Sequence, residues 1–127
     1  MLVDQKRNTA DLMRLYLRTL GYSIDHTADP SEAVKFVARS KYEMVITDLI
    51  MNGGITGFDL YRRIKALDEE IKFVFLLSLA ASYNVIKLLG SLDRIDVIKK
   101  EPLSINEVIY KVRAAFNPQN ESRIGNN

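Results

Sequence analysis

The chain has 127 residues, of which 47% are apolar, and its 18 Lys and Arg residues against 16 Asp and Glu residues give a formal net charge of +2. This length predicts one domain around one core, and the near balance of charge does not indicate a nucleic-acid or membrane partner. The absence of cysteine excludes disulfides and thiolate metal sites. With neither an apolar run long enough to span a membrane nor an export leader, a cytoplasmic location is expected.

The chain opens with a short apolar run that is followed by an amphipathic stretch. Residues 1–4 predict a first strand, and residues 8–21 predict a helix that stops at Gly21. Four apolar residues lie on one side of this helix: Leu12, Leu15, Tyr16 and Leu20.

The next two segments predict an edge strand and a capped helix. Polar and apolar residues alternate in 22–27, which is typical of a strand at the exposed edge of a sheet. Residues 29–40 predict a helix with Asp29 or Ser31 near its N-cap and Pro30 in its first turn.

The middle of the chain contains two strongly apolar segments separated by a helical pattern. Residues 43–48 and 72–78 are nearly continuous apolar runs, which is typical of strands covered on both faces. Between them, after a loop rich in glycine, residues 58–67 carry apolar side chains at helical spacing. The first of these strands ends on Asp48, which therefore lies at the rim of the predicted sheet.

The last third of the chain predicts a weaker helix over 81–92, a fifth strand over 95–99 and a final helix over 104–116. Residues 117–127 have no periodicity and many turn formers, so we expect a flexible tail or linker there. Four residues of the final helix are predicted to point inward: Val108, Ile109, Val112 and Phe116.

Five strands alternating with five helices predict an α/β fold, with a single parallel sheet covered by helices on both faces. In doubly wound folds of this kind, ligands bind at the carboxyl ends of the strands, near the point where the strand order reverses. The polar residues expected at these ends are Asp4, Gln5, Asp48, Ser78, Lys99 and Lys100.

This ordered set of residues resembles the receiver domain of two-component response regulators over residues 2–116. The resemblance implies a three-layer, doubly wound fold with strand order 2-1-3-4-5, and a receiver domain over 1–116 followed by a tail. In that family an aspartate at the end of strand three accepts a phosphoryl group from a histidine kinase. The matching residues here are Asp4 for the first acid, Asp48 for the phosphoacceptor, Ser78 for the switch hydroxyl and Lys100, rather than Lys99, for the lysine.

The chemistry of these residue types suits the implied role. A carboxylate can accept a phosphoryl group, and the charge that spreads over the phosphoryl oxygens calls for a cation. Mg²⁺ prefers oxygen ligands, and a lysine ammonium suits a phosphate oxygen. By resemblance, the magnesium ligands would be Asp4, Asp48, the backbone carbonyl of Ile50 and, as a weak substitute for an acid, Gln5.

Four departures from the family pattern bear on activity. Gln5 stands where the family has its second acid, which removes one charge beside a dication. That charge is worth about 4 kcal/mol at about 4 Å and a dielectric of about 20. Even a third of it lowers affinity roughly tenfold, so weak Mg²⁺ binding is expected. The other departures are the longer, glycine-rich loop over 51–57, Glu101 between Lys100 and Pro102, and Val97 in place of a common aromatic residue.

More than one function stays open at this point. The first is a phosphorylation-driven switch, not an enzyme beyond self-catalysed phosphotransfer and dephosphorylation, whose partners are a histidine kinase and an effector domain or a second copy. The second is a degenerate receiver that binds proteins or dimerises without phosphorylation. A flavodoxin-like enzyme is less favoured because residues 4–9 contain no glycine to cradle a phosphate. His26, the only histidine, is expected to have a surface role.

Overall fold

The computed structural model describes residues 1–51, 56–78, 83–100 and 103–116. Three features discussed above lie outside these ranges. They are the glycine pair of the loop after Asp48, Glu101 with Pro102, and the tail over 117–127.

Within the described ranges the chain forms five strands and five helices in alternation. The strands are β1 (Leu2–Val3), β2 (His26–Thr27), β3 (Met44–Asp48), β4 (Lys72–Leu77) and β5 (Ile95–Lys99). The helices are α1 (Arg7–Thr19), α2 (Pro30–Arg39), α3 (Gly57–Leu67), α4 (Tyr83–Leu89) and α5 (Ile105–Phe116). Among these helices, none is long and apolar enough to cross a membrane.

The strands form one parallel sheet in the order β2-β1-β3-β4-β5, which confirms the predicted fold. Strand β3 lies at the centre and all five of its residues are buried, as its continuous apolar sequence predicts. Strand β2 lies at the edge, as the alternation in its sequence predicts, and is only two residues long.

The sheet separates two cores, because successive side chains of a strand point to opposite faces. One core packs β-strand residues against α2, α3 and α4, and the other packs the alternate residues against α1 and α5. The first contains Val3, Val45, Phe73 and Phe75 with Leu60 and Ile64. The second contains Leu2, Ile46 and Val74 with Met13, Leu17, Val108 and Val112.

Local capping fixes where two of the helices begin. The Asp29 side chain accepts a hydrogen bond of 2.9 Å from the backbone N–H of Ser31, and Pro30 occupies the first turn of α2 as predicted. At the start of α3, the Thr56 hydroxyl accepts from the backbone N–H of Asp59. The second cap was not predicted from the sequence.

Helix α1 has two apolar stripes, and the one with more large side chains is exposed. The sheet is covered instead by Ala10, Met13 and Leu17, which are at most 2% exposed, whereas Leu15 is 62% exposed. Alanine lets the helix backbone approach the sheet closely, so the smaller stripe packs better there than the larger one. The exposed stripe consists of Leu12, Leu15, Tyr16 and Leu20.

The prediction for α5 is correct for two residues and wrong for one. Val108 and Val112 are buried, and Ile109 is half-buried against the second core. Phe116 was predicted to point inward but is 42% exposed. It lies at the last position of the helix, where the sheet no longer covers it. Its ring packs against that of Tyr22, with 5.3 Å between the two ring centroids.

Candidate functional site

Three charged residues from different strand ends meet in the interior. Asp4 follows β1, Asp48 ends β3 and Lys100 follows β5. The Lys100 Nζ lies 3.1 Å from Asp4 Oδ1 and also donates to Asp48 Oδ1. All three are buried, with exposed fractions of 1%, 7% and 8% for Asp4, Asp48 and Lys100. We call these residues the charged triad.

Strand register brings the triad together. The pairing of β1 with β3 places Val3 beside Thr47, so the residues that follow them, Asp4 and Asp48, leave the sheet side by side. The backbone N–H of Lys100 donates to the Leu77 carbonyl over 2.9 Å, which continues the pairing of β4 with β5 by one residue. The lysine side chain therefore reaches back across the ends of the strands to both acids.

Asp4 is held from several directions. Its Oδ1 accepts a hydrogen bond of 2.8 Å from the backbone N–H of Lys6 as well as the bond from Lys100. Its backbone carbonyl lies 3.1 Å from His26 Nε2, a contact that requires the proton on that ring nitrogen. Its Oδ2 is buried and has no hydrogen-bond partner among the described residues.

The segment after Asp48 is packed tightly against the start of α3. The backbone N–H of Gly57 donates to the Leu49 carbonyl over 2.6 Å. A Cβ at position 57 would lie 2.6 Å from the Asp48 carbonyl oxygen and 2.8 Å from the Leu49 Cα. Both distances are shorter than the contacts that Cβ atoms make in proteins. Only glycine allows α3 to approach the backbone that carries Asp48.

Burial and charge act in opposite directions on the triad. Burial raises the pKa of Asp48 to about 6, the neighbouring Asp4 carboxylate adds to this rise, and Lys100 opposes it. For Lys100, burial alone would lower the pKa, but hydrogen bonds and charge from Asp48 and Asp4 outweigh it and the pKa is raised. At neutral pH the site therefore holds an ionised Asp48 beside a protonated Lys100.

A small cavity of about 110 Å³ opens beside Asp48. Its polar lining comes from the triad residues Asp48 and Lys100 together with Ser78 and Lys6, and Ile50 also lines it. Because a water molecule occupies about 30 Å³ of liquid, the cavity has room for a group of a few heavy atoms. Three other strand-end residues are placed differently: Asp4 lies buried behind the cavity, while Gln5 and Lys99 are exposed and outside its lining.

The oxygen ligands at the site suit a hard divalent cation, but they carry few negative charges. Asp4 Oδ2 is a buried carboxylate oxygen without a partner among the described residues, and Asp48 supplies a second carboxylate. Mg²⁺ can be held by one or two carboxylates plus waters and phosphate oxygens. However, the described part of the chain contains no group of three His, Cys, Asp or Glu residues that could hold a metal ion.

Three residues near the site were not singled out as site residues from the sequence. Lys6 lines the cavity, Gly57 packs on the Asp48 backbone and His26 contacts the Asp4 carbonyl. His26 was expected to have a surface role, whereas the parallel pairing of β1 with β2 places it beside Leu2, close to Asp4. A glycine directly before the predicted helix over 58–67, in the loop after an acidic strand end, was the signal for Gly57.

Comparison with known proteins gives one family. Residues 1–113 match the family model for the response regulator receiver domain. The response regulator SaeR of Staphylococcus epidermidis is 27% identical over 111 residues, which cover 87% of this chain and 47% of that protein. The chain spans about half the length of the curated relatives it matches.

Solved structures show the same fold. The signal receiver domain of an HD domain-containing protein from Pseudomonas fluorescens Pf-5 has a TM-score of 0.80 at 20% identity, covering 96% of this chain and 88% of that one. The receiver domain of the sensor histidine kinase PA1611 from Pseudomonas aeruginosa PAO1 has a TM-score of 0.74 at 22% identity, covering 88% and 91%. The latter structure has a magnesium ion coordinated in its active site cleft.

Proposed function

This chain belongs to the response regulator receiver domain family, and from that premise we propose that it accepts a phosphoryl group from a histidine kinase on Asp48. The observation that carries the proposal is the charged triad, in which Lys100 Nζ contacts both Asp4 and Asp48. A buried carboxylate with a cation beside it and an open cavity in front of it is suited to nucleophilic attack on phosphorus. The receiver domain extends over residues 1–116 in this proposal.

The transfer exchanges one bond to phosphorus for another. An Asp48 carboxylate oxygen attacks the phosphorus of the kinase phosphohistidine, and the phosphorus–nitrogen bond breaks. The imidazole leaves with the electron pair, as a neutral ring when its other nitrogen carries a proton. The product is an acyl phosphate, and the chain acts as phosphoacceptor rather than as an enzyme with a free substrate.

Lys100 and Ser78 have complementary parts in this proposal. Once the Asp48 carboxylate becomes an acyl phosphate, the Lys100 ammonium can bind a phosphoryl oxygen in place of the carboxylate oxygen. Ser78 lines the same cavity at the end of β4, and in this proposal its hydroxyl donates to another phosphoryl oxygen. Both residues connect the site to the chain segments that lead into α4 and α5.

Magnesium has a defined place in the proposal. The residues that would hold it are Asp4, Asp48 and the Ile50 carbonyl, with Gln5 as a weak substitute for an acid. When bound, the ion neutralises charge that develops on the phosphoryl oxygens. Weak binding is expected because Gln5 is neutral and exposed, and because Lys6 adds a positive charge to the cavity.

The output surface in this proposal is the face formed by α4, β5 and α5. Apolar side chains are exposed there, including Ile86 and Tyr110 at 50% and 45%. Because curated relatives are about twice as long as this chain, the partner is an effector domain that follows the receiver or a second copy. Movement of Ser78 and Lys100 toward the phosphoryl group would shift the neighbouring β5 and α4.

A second function is favoured by one observation at Gln5. This residue stands at the family's second acid, is exposed and does not line the cavity. A degenerate receiver that binds partners or dimerises without phosphate would tolerate such a change. In that case Asp48→Asn would leave oligomeric state and partner binding unchanged, whereas the leading proposal requires them to respond to phosphorylation.

The test uses acetyl phosphate as a small acyl phosphate donor and intact-mass detection. With Mg²⁺ present, the wild type is expected to gain one phosphoryl group, and Asp48→Asn is expected to gain none. Asp93→Asn serves as the matched control, because it makes the same change at an exposed acid far from the cavity. Equal mass gain by wild type and Asp48→Asn would overturn the proposal.

A further inference from the structure

A larger cavity, of about 460 Å³, lies at the opposite end of the sheet from the charged triad. Its lining includes Met44, the first residue of β3, whereas Asp48 at the other end of this strand lines the smaller cavity. A strand rises about 3.3 Å per residue, so Met44 and Asp48 lie roughly 13 Å apart. We call the larger one the amino-end cavity. The phosphoryl transfer proposed for Asp48 makes no use of it.

The floor of the amino-end cavity is apolar and belongs to the second core. Five of its lining residues are at most 6% exposed: Leu2, Leu17, Met44, Ile46 and Val112. The rings of Tyr22 and Phe116, which pack on each other, also line it. Small-molecule sites typically measure about 300–1,000 Å³. At about 30 Å³ for each water-sized group, this cavity has room for roughly 15 heavy atoms.

Hydrogen bonds hold the walls of this cavity in place. The backbone N–H of Leu2 donates to the Asp25 carbonyl over 2.8 Å, and that of Ile46 donates to the Met1 carbonyl over 2.9 Å. The Tyr42 hydroxyl donates to Asp25 Oδ2 over 2.5 Å, which joins the segment before β2 to the segment before β3. Burial and the Asp25 carboxylate raise the pKa of Tyr42 to about 12, so the hydroxyl keeps its proton at neutral pH. The cavity therefore exists before a ligand enters.

The charged side chains at the rim of the amino-end cavity favour a cation. Asp25 and Glu43 are carboxylates, and among the described lining residues Lys41 is the one cationic side chain. Burial lowers the pKa of the Met1 amino group to about 6, although the charge of Asp25 opposes this, so the group is largely neutral at about pH 7.5. A carboxylate has lone pairs for several hydrogen bonds, so Asp25 can accept from a ligand as well as from Tyr42.

We propose that the amino-end cavity binds a small organic amine, with its apolar body on the core residues and its ammonium at Asp25. An apolar floor with a few polar groups at one side is the usual composition of a small-molecule site. The hydrogen bond from an ammonium to a carboxylate is charge-assisted and stronger than a neutral one. An anionic ligand of the same size would instead meet like charge at Asp25 and Glu43. Binding is noncovalent and does not depend on the phosphoacceptor function.

The first test compares two probes of similar size and opposite charge. Tryptamine carries an aromatic body and an ammonium, and indole-3-propionate carries the same ring system and a carboxylate. Each is titrated into the isotope-labelled 127-residue chain at about pH 7.5, and the backbone amide signals are followed by NMR. Tryptamine is expected to shift the signals of residues 22–25 and 41–44 saturably, and indole-3-propionate to bind at least about tenfold more weakly.

Two results of this titration would overturn the proposal. Indole-3-propionate that binds as tightly as tryptamine, or more tightly, would show that the cavity does not select an amine. No saturable shift in either segment with tryptamine would show that the cavity is not a site for this class of ligand.

A variant tests the role assigned to Asp25. Asp25→Asn removes the charge and retains an oxygen that can accept from Tyr42, and it is expected to weaken tryptamine binding about tenfold. Asp93→Asn is the matched control, because it removes the same charge at an exposed acid outside the cavity lining. Amide signals far from residue 25 report that both variants keep the fold. Equal tryptamine affinity of Asp25→Asn and Asp93→Asn would overturn the proposal.

Discussion

The site has two sides that differ in burial and in contact. On the strand side, three charged residues are buried, and Lys100 contacts both of the acids. On the loop side, three residues are exposed and follow the strand ends. The strand side consists of Asp4, Asp48 and Lys100, and the loop side of Gln5, Lys6 and Ile50.

This difference indicates which residues can change without loss of the fold. A buried ion pair that loses one partner leaves an uncompensated charge in a medium of low polarity, which is costly. The charge of an exposed side chain stays hydrated, so its replacement changes the free energy of unfolding little. We therefore expect loss of the shared cation on the strand side to lower stability strongly, and substitutions on the loop side to change how the site uses cations.

Removal of Lys100 should have the largest effect. Lys100→Met keeps the length of the side chain but leaves Asp4 and Asp48 without their shared cation. We expect a loss of about 3 kcal/mol in the free energy of unfolding at pH 7, measured by urea denaturation. Lys99→Met is the control at an exposed neighbouring position and should change the free energy by less than about 0.5 kcal/mol. Similar values for both variants would contradict the charged triad as a coupled unit.

Crowding of the Asp48 backbone should have the next largest effect. Gly57→Ala places a Cβ 2.6 Å from the Asp48 carbonyl oxygen, so α3 or the acceptor segment must move. We expect a loss of about 2 kcal/mol, measured by urea denaturation. In the control Gly90→Ala the new Cβ would lie 3.4 Å from the Lys87 carbonyl oxygen, which needs little adjustment. Equal stability of Gly57→Ala and wild type would show that the close packing is not required.

A change on the loop side should act on magnesium rather than on folding. Gln5→Asp restores an acidic charge near Asp4 and Asp48 and is expected to raise Mg²⁺ affinity about tenfold, or about 1.4 kcal/mol. Isothermal titration calorimetry measures this directly. Ser23→Asp adds the same charge in the chain segment that precedes β2. This segment lies at the amino ends of the strands, away from the site, so the Mg²⁺ affinity should stay unchanged. A tenfold gain in both variants would attribute the effect to net charge alone.

The smallest expected effect concerns the charge of Asp48 itself. Burial raises its pKa to about 6 in the folded chain, above the ordinary value of 3.8. The ionised carboxylate therefore destabilises the fold above about pH 6, and this penalty fades as the pH falls toward 4. At pH 7 the free energy of unfolding of Asp48→Asn is expected to exceed that of the wild type by about 1 kcal/mol, because removal of the buried charge outweighs loss of the ion pair with Lys100. By pH 4 this difference should disappear. A gain that is constant across this pH range would contradict the assignment to Asp48.

The sequence predicts the fold well because its strands are nearly continuous apolar runs. Residues 44–48 and 72–77 have few alternatives to a buried parallel strand, and their ends then locate Asp48 and Ser78. The face of α1 was less predictable, because two apolar stripes compete and the sheet selects the one with Ala10. Hydrophobicity alone favours the larger stripe.

The site was predictable in part for a similar reason. The rule that ligands bind at the carboxyl ends of strands includes Asp4, Asp48 and Lys100 in its candidates, and the resemblance to receiver domains selected Lys100 over Lys99. The contact of His26 with Asp4 depends on strand register, and the position of Lys6 at the cavity depends on how the chain leaves β1. Hydrophobic spacing determines neither the register of β2 nor the path of the chain after β1, so both contacts required the structure.

The most direct test of the strand side as the chemical centre is to locate the phosphoryl group. After labelling with acetyl phosphate, borohydride reduction converts an aspartyl phosphate to homoserine, and peptide mass spectrometry then identifies the position. We expect homoserine at position 48 in the wild type and at no position in Asp48→Asn. Homoserine at another acidic residue, or the same yield in Asp48→Asn, would contradict it.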